Sequence, residues 1–454
     1  MSLILRPLQE DMLSTVRQHI RDGSKRVLIQ APCGFGKTVL AAKIMQGAAL
    51  KGNRAFFNVH RRELLKQSVA TLRESADIAV GVVAAGFPDY RFAQTQVCSI
   101  DSLSRRLHLL PKPSMMLWDE SHHIAAASYS KIFNQYPDIV HIGLTATPQR
   151  LDGAGLDKFF DVMVKGPAIA ALIEQGWLSD YVLYAPSKAD MSGVRSIGGD
   201  YHKGDLNKAM QASRVTGDVV LEYKRRAGGK RAIAFAWSIE SSKDIARRFR
   251  EAGIPAEHVD GATDDNLRDG AMRRFIRGDT LVLCNVDLFG EGVDVPAVEA
   301  VIMLNPTRSL TKYLQQIGRA LRIFPGKDRA VILDHAGNSD LHGLPDDDRD
   351  WSLDGIVKNR KKDAEPGIKQ CPACFAHVRS ISRACRHCQF EFVIKGRPMD
   401  VVEGELAAVD LAAMRQNRRT QVGRARDEAS LKAIAAERGY KQGWVDHIMR
   451  ARGQ

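Results

Sequence analysis

The segment that most constrains this chain is APCGFGKT, residues 31–38, set between an apolar run, RVLIQ (26–30), and an alanine-rich stretch with helical spacing. Its glycines, Gly34 and Gly36 with Phe35 between them, let backbone N–H groups wrap a chain of phosphates. Lys37 would then reach the terminal phosphates, and the Thr38 hydroxyl would ligate Mg2+. Ala31 stands where the general pattern has its first glycine. A chance glycine-rich turn is the alternative, but the strand–loop–helix setting argues for the phosphate loop.

Around this loop, short apolar runs alternate with helical stretches. RAFFNVH (54–60), QVCSI (96–100), MMLWDE (115–120) and IVHIGLTAT (139–147) read as buried strands, with helices at 38–52 and 62–74 between them. A second series follows the glycine-rich stretch 191–206. It comprises RAIAFAW (231–237), PAEHVD (255–260), TLVLCNV (280–286), AVIMLN (300–305) and AVILDH (330–335), with helices at 242–253 and 311–324. Strands alternating with helices predict two α/β lobes in series, each a parallel sheet with helices on both faces. The expected division is 1–165 and 166–345 for the lobes, a polar, charge-blocked linker at 346–369, a cysteine module at 370–394 and a basic helical tail at 395–454.

A second chemical signal is MMLWDESHH (115–123), an apolar strand ending in two acids. Opposite a phosphate loop, Asp119 would hold Mg2+ through water, and Glu120 would orient and deprotonate the attacking water. For the pair seen alone, the alternative is a strand end with two solvated acids. His123 reads either as a helix-start filler or as a functional residue.

Taken together, APCGFGKT, DESH (119–122), LTATP (144–148), NVDLFGEGVDVP (285–296) and QQIGRALR (315–322) resemble, in kind and in order, the motifs of the superfamily 2 helicases and translocases of DExH type. The likeness extends to excision-repair-type helicases, restriction-enzyme motor subunits and bacterial DNA-repair helicases. It spans residues 5 to about 340 and implies two tandem RecA-like domains. It also implies roles. Gln9, with Arg6 nearby, would read the adenine edge, and His122 and Gln315 would pair across the cleft. Thr145 and Thr147 would couple nucleotide state to lobe movement, and Gly292 and Asp294 would line the nucleotide and strand path. Arg319 and Arg322 would be arginine fingers brought onto the γ-phosphate by lobe closure. Arg61, Arg62, Ser102 and Thr263 are the expected nucleic-acid contacts, gripping phosphates rather than bases. A solvated surface role is the alternative for the two arginines.

Cys371-x2-Cys374-x10-Cys385-x2-Cys388 offers four thiolates from two knuckles, suited to a structural Zn2+ in a zinc ribbon. Two disulfides are the alternative, and His377 and His387 are spare ligands. Arg379, Arg383 and Arg386 are placed to meet nucleic acid or a protein. The net charge is +13, and residues 358–454 carry 20 Lys and Arg against 11 Asp and Glu, a balance that favours a phosphate-backbone partner. Residues 405–416 and 428–439 repeat apolar positions near 3.6, so the tail reads as helical and as a possible protein-binding element.

No apolar run approaches the ~20 residues of a membrane span, and Arg6, Glu10 and Asp11 interrupt the N-terminal apolar residues, so a cytoplasmic protein is expected. The expected activity is ATP-dependent movement on nucleic acid, single-stranded or duplex, with DNA preferred to RNA. ATP, Mg2+ and Zn2+ are the expected cofactors. An ATP-gated adaptor, or a motor subunit of a larger nuclease or restriction complex, is the competing reading.

Overall fold

In the computed structural model, residues Met1–Val393 form one compact unit and Ile394–Gln454 a second. The structure describes residues 4–392 except 75, 89, 151–152, 186–195, 198–199, 202–204, 206–218, 290–297 and 356–366. In the tail it describes 420–422, 425, 427–438, 445, 448 and 449.

The first lobe is a seven-stranded parallel sheet ordered β3-β4-β2-β5-β6-β1-β7. Its strands are β1 (Arg26–Gln30), β2 (Ala55–Val59), β3 (Val80–Val83), β4 (Thr95–Ser99), β5 (Met115–Trp118), β6 (Val140–Thr145) and β7 (Val162–Lys165). The second lobe holds β8 (Tyr181–Tyr184), β11 (Ala232–Phe235), β12 (Ala256–Val259), β13 (Val282–Asn285), β14 (Ala300–Met303) and β15 (Ala330–Asp334). These form a six-stranded parallel sheet, β12-β13-β11-β14-β15-β8. Between β8 and β11 in the chain lies a short antiparallel pair, β9 (Ser196–Ile197) and β10 (Asp200–Tyr201). The central strands are buried along their length because helices cover both faces, which is why they read as unbroken apolar runs.

The architecture is the expected pair of α/β lobes, with several elements added. A helix at Pro7–Arg21 opens the chain, with Pro7 in its first turn and Met12, Leu13 and Val16 buried. Strands β3, β7 and β8 and the helix Asp265–Arg277 are also additions to the sequence reading.

The expected linker needs correction over its first part. Residues 344–355 cross from the second lobe back to the first. There the Leu353 carbonyl accepts N–H bonds from Leu156 (2.7 Å) and Asp157 (3.1 Å), Ala154 bridges Gly355, and Asp350 lies 3.1 Å from Lys165. Trp351 and Leu353 pack against buried apolar clusters. A run of acids and arginines looks like a solvated linker, yet its few apolar residues dock it.

The cysteine module carries the antiparallel pair β16 (Ile368–Gln370) and β17 (His377–Arg379). In the second unit, the helix Glu428–Arg438 buries Leu431 and Ala435 with Ala425 and Val445. The expected helix at 405–416 lies outside the described residues.

Candidate nucleotide and metal sites

Strands β5, β6 and β1 are neighbours, and their carboxyl ends deliver DESH, TATP and the phosphate loop to one edge, the place where open parallel sheets bind ligands. The loop turns on two left-handed glycines, Gly34 (φ 84°) and Gly36 (φ 94°), and Gly36 caps the helix Lys37–Leu50. Contacts hold it from both sides. A Cβ on Gly34 would meet Leu178 Cδ2 at 2.6 Å, and one on Gly36 would meet Gln9 Nε2 at 2.6 Å. Gln9 is buried and doubly bonded, its Nε2 donating to the Phe35 carbonyl (2.8 Å) and its Oε1 accepting from the Arg6 N–H (3.0 Å). The side chain expected to read adenine thus clamps the phosphate loop to the first helix.

A cavity of about 350 Å³ opens over the loop. From the first lobe, Arg6, Lys37, Thr38, Asp119 and Glu120 line it; from the second, Gln315, Arg319 and Arg322 do so. The two sets of chemistry-bearing residues read from sequence therefore face each other across one crevice. The backbones approach tightly at Gly318 in the helix Leu310–Ala320, which lies on Cys33 with no room for a side chain between them. Cys33 is thus the small wall residue of the phosphate loop.

Asp119 and Glu120 are both buried. Burial, then the neighbouring Glu120 charge, pushes the Asp119 carboxyl up to about 7 against the opposing pull of Lys37 and His60. Two adjacent buried carboxylates and the Thr38 hydroxyl form a hard oxygen set of the kind Mg2+ takes, and Thr38 and Asp119 would hold the ion. Glu120 adopts a left-handed backbone (φ 45°), which is costly for a residue with a Cβ and marks a turn fixed by its surroundings.

Behind the acids, His122 Nδ1 lies 3.1 Å from Thr145 Oγ1 and 3.4 Å from Glu120 Oε2. Thr145 Oγ1 donates to the Thr147 carbonyl at 3.0 Å, and Thr147 Oγ1 meets Thr311 Oγ1 of the second lobe at 2.8 Å. The TAT segment therefore bridges the lobes by a buried hydroxyl pair. Gln315 is buried at the cleft, and its Nε2 has no hydrogen-bond partner among the described residues.

Of the expected strand contacts, Arg61 is turned towards the second lobe. Its Nη1 donates to the carbonyls of Asp287 (3.2 Å) and Leu288 (3.0 Å). Arg62 faces Asp265 of that lobe at 3.8 Å. The Thr263 hydroxyl bonds Asp260, and the Ser102 N–H is capped by Ser99 Oγ. Gly292 and Asp294 lie outside the described residues.

Sequence reasoning missed Trp177, which lines the nucleotide cavity with the Arg6 guanidinium 4.6 Å over its ring. It sits just after the helix Ile169–Glu174, in a stretch without strand or helix periodicity, so no pattern flagged it.

The four module cysteines bring their Sγ atoms within 4.8 Å of one another. Cys371–Cys388 is 3.6 Å and Cys374–Cys385 3.7 Å. A disulfide needs about 2.05 Å, whereas thiolates at about 2.3 Å from a tetrahedral zinc stand roughly 3.8 Å apart. The spacing fits zinc and sets the disulfide alternative aside. The two knuckles repeat one geometry. Phe375 (φ 63°) donates its N–H to the Cys371 carbonyl, and Gln389 (φ 62°) donates to that of Cys385, both at 2.9 Å.

His377 is turned away from the cluster, its Nδ1 accepting the Ala185 N–H at 3.2 Å. Arg379 and Arg386, expected to meet an outside partner, dock the module on the second lobe instead. Arg379 bonds Asp347 (3.0 Å), and Arg386 bonds Asp180 (2.9 Å) and Asp346 (3.3 Å). Arg383 remains exposed.

Residues 2–150 match the family model described as type III restriction enzyme, res subunit, and residues 215–324 match that of the helicase conserved C-terminal domain. A 51.5 kDa protein of Lactococcus phage (isolate 7-9) is 37% identical over 387 residues, 84% of this chain and 82% of that one. The putative ATP-dependent helicase IRC3 of Saccharomyces cerevisiae is 29% identical over 359 residues, 74% of this chain. The chain spans 52% of that yeast protein. Among solved structures, a fragment of a putative HsdR subunit of a type I restriction enzyme from Vibrio vulnificus YJ016 shares the fold. Its TM-score is 0.60 at 20% identity, over 75% of this chain and 66% of that one.

Proposed function

We propose a nucleic-acid motor, starting from the fact that this chain belongs to the superfamily 2 helicases and is an ATP-hydrolysing enzyme. The observation that carries the proposal is the shared cavity, with Lys37, Asp119 and Glu120 on one wall and Gln315, Arg319 and Arg322 on the other. The loop amides and Lys37 hold the phosphates of ATP, and Thr38 and Asp119 hold Mg2+, which neutralises phosphate charge. Glu120 takes the proton of the attacking water, and Arg319 and Arg322 stabilise charge on the transferring phosphoryl group. The two arginines belong to the other lobe, so hydrolysis requires closure, and each turnover opens and closes the grip on a strand.

DNA is the favoured track. The basic charge supports a phosphate backbone, and the match of residues 2–150 to a restriction-enzyme subunit inclines the choice from RNA to DNA. That match also supports a second reading, a motor subunit within a larger nuclease or restriction assembly. The cysteine module holds one Zn2+ in a closed four-thiolate shell with a structural role. Free Cys33, Cys98 and Cys284 support a reducing, cytoplasmic setting. Among the described residues no helix is long and apolar enough to cross a membrane.

The test is ATP turnover with single-stranded DNA, duplex DNA and RNA. Lys37→Ala and Glu120→Gln abolish stimulated turnover, and Arg319→Ala binds ATP while losing about 10³-fold or more in rate. Normal turnover by Arg319→Ala refutes the two-lobe mechanism.

A further inference from the structure

Strand β2 ends at Val59, and the next two residues connect regions that the helicase motifs treat separately. Arg61 reaches the second lobe through the Asp287 and Leu288 carbonyls, beyond the end of β13. That segment is itself fixed: Asp287 has φ 52°, and its carboxylate pairs with Lys312 at 2.5 Å. On the same guanidinium, Nε donates to His60 Nε2 at 3.3 Å. The His60 ring lies 5.3 Å from that of His123, and the His123 ring 4.2 Å from that of His122. His122 touches both Glu120 and Thr145. Alongside this file of three imidazoles, the Asp119 N–H donates to the Asn58 carbonyl at 3.0 Å, which ties the end of β2 to the acid turn.

We propose that His60 is a positioning residue that passes the state of Arg61, and so of the strand-side contact between the lobes, to the catalytic acids. The proposal rests on the motor reading. Arg61 makes its bonds to the second lobe when the lobes stand as they do here. A strand phosphate that recruits Arg61, or a lobe movement that removes its two carbonyl acceptors, shifts the Nε that His60 holds. Rings in contact transmit that shift by displacement and need no proton transfer. The receiver is sensitive, because Glu120 sits in a left-handed conformation that only its surroundings maintain. A displacement of about 1 Å at a catalytic group costs roughly 10²-fold in rate. His123, left between filler and function by its sequence, becomes the middle of the relay.

The test uses the full chain with Ala and Gln at position 60, a fluorescent single-stranded oligodeoxynucleotide for affinity, and ATP turnover with and without it. His60→Ala is expected to bind the oligonucleotide within about threefold of wild type, while the ratio of stimulated to unstimulated turnover falls about tenfold. His60→Gln, which keeps an acceptor for Arg61, recovers part of that ratio. An undiminished ratio in His60→Ala overturns the relay. So does a loss of affinity that accounts for the lost stimulation, or an equal fall in both rates. If wild type is stimulated by no nucleic acid, the motor reading falls and takes the relay with it; the other failures remove the relay alone.

Discussion

Gly318→Ala separates folding from closure, because the two respond with opposite sign. In the interior of the helix Leu310–Ala320, alanine should stabilise by about 0.5–1 kcal/mol relative to glycine. The added methyl, however, falls well inside the van der Waals contact distance of Cys33 Cβ on the phosphate loop, with Sγ 3.4 Å away. Carbon atoms pack at about 3.5–4.0 Å, so the helix must stand off by roughly 1 Å. It carries Arg319 with it, and a finger misplaced by about 1 Å loses on the order of 10²-fold in turnover, about 2.7 kcal/mol. Nucleotide affinity, set mainly by the first lobe, should stay within about threefold. The assays are steady-state ATP turnover, binding of a fluorescent ATP analogue and a thermal melt. The second-site control is Cys33→Gly, which leaves only Cys33 Cα, 3.8 Å from the new methyl, so the double variant should recover most of the lost rate. Wild-type turnover by Gly318→Ala, or failure of Cys33→Gly to rescue it, refutes the closed geometry as the working one.

Buried His141 accepts from Trp118 Nε1 at Nδ1 (3.1 Å) and faces the Tyr136 carbonyl at Nε2 (2.8 Å), and burial lowers its pKa from 6.5 to about 4. The unfolded chain therefore binds the extra proton first, so stability present above pH 6.5 is lost as pH falls towards 4, by up to about 3 kcal/mol. Urea unfolding across that range should show a slope that His141→Gln flattens; equal slopes refute the assignment. Purified protein should carry one zinc per chain, measured by elemental analysis. Its chelation should raise hydrogen exchange at Leu156 and Asp157, because the module grips Asp346 and Asp347 on the same segment that bonds those amides. Protection that survives metal loss would disconnect the module from the first lobe. Gln9→Ala strips the phosphate loop of its clamp, a loss of roughly 1–3 kcal/mol at a buried carbonyl. It should raise KM for ATP more than it lowers kcat, and an unchanged KM would show that the clamp is dispensable.

The chemistry was legible because it is local. A phosphate loop, an acid pair and a cysteine knuckle each need particular residues at fixed spacing, and strands covered on both faces write themselves as apolar runs. What stayed hidden depends on distant partners. Gln9 carries no sign that its amide will meet Phe35, and nothing around Trp177 says that it will line the nucleotide cavity. Arg61, Arg379 and Arg386 look like free surface charge. Their acceptors, the carbonyls of 287 and 288 and the carboxylates of 180, 346 and 347, are far away in sequence. The acidic segment 346–355 misleads for the same reason, since its docking rests on the Leu353 carbonyl, the Gly355 bridge, the Asp350–Lys165 pair and two apolar side chains rather than on any periodicity.

Whether hydrolysis follows the lobes or only local motion depends on how firmly the finger helix is held. Its first turn is capped by Ser309 Oγ, which accepts the Lys312 N–H at 3.2 Å, and Tyr313 donates its hydroxyl to the Gly343 carbonyl at 2.7 Å. At the far end, the Lys327 ammonium donates to the carbonyls of Val298 (3.0 Å), Ala320 and Arg322 (2.8 Å), opposite the negative end of the helix dipole. Burial lowers the Lys327 pKa to about 8, which leaves it charged at neutral pH. A helix fixed at both ends to its own lobe resists releasing Arg319 by fraying. The guanidinium groups leave the phosphate loop only when the second lobe leaves as a body, and the Thr147–Thr311 and Arg61–Asp287 bonds must break in the same movement. On the proposed mechanism, that rigidity would tie hydrolysis to movement of the whole second lobe.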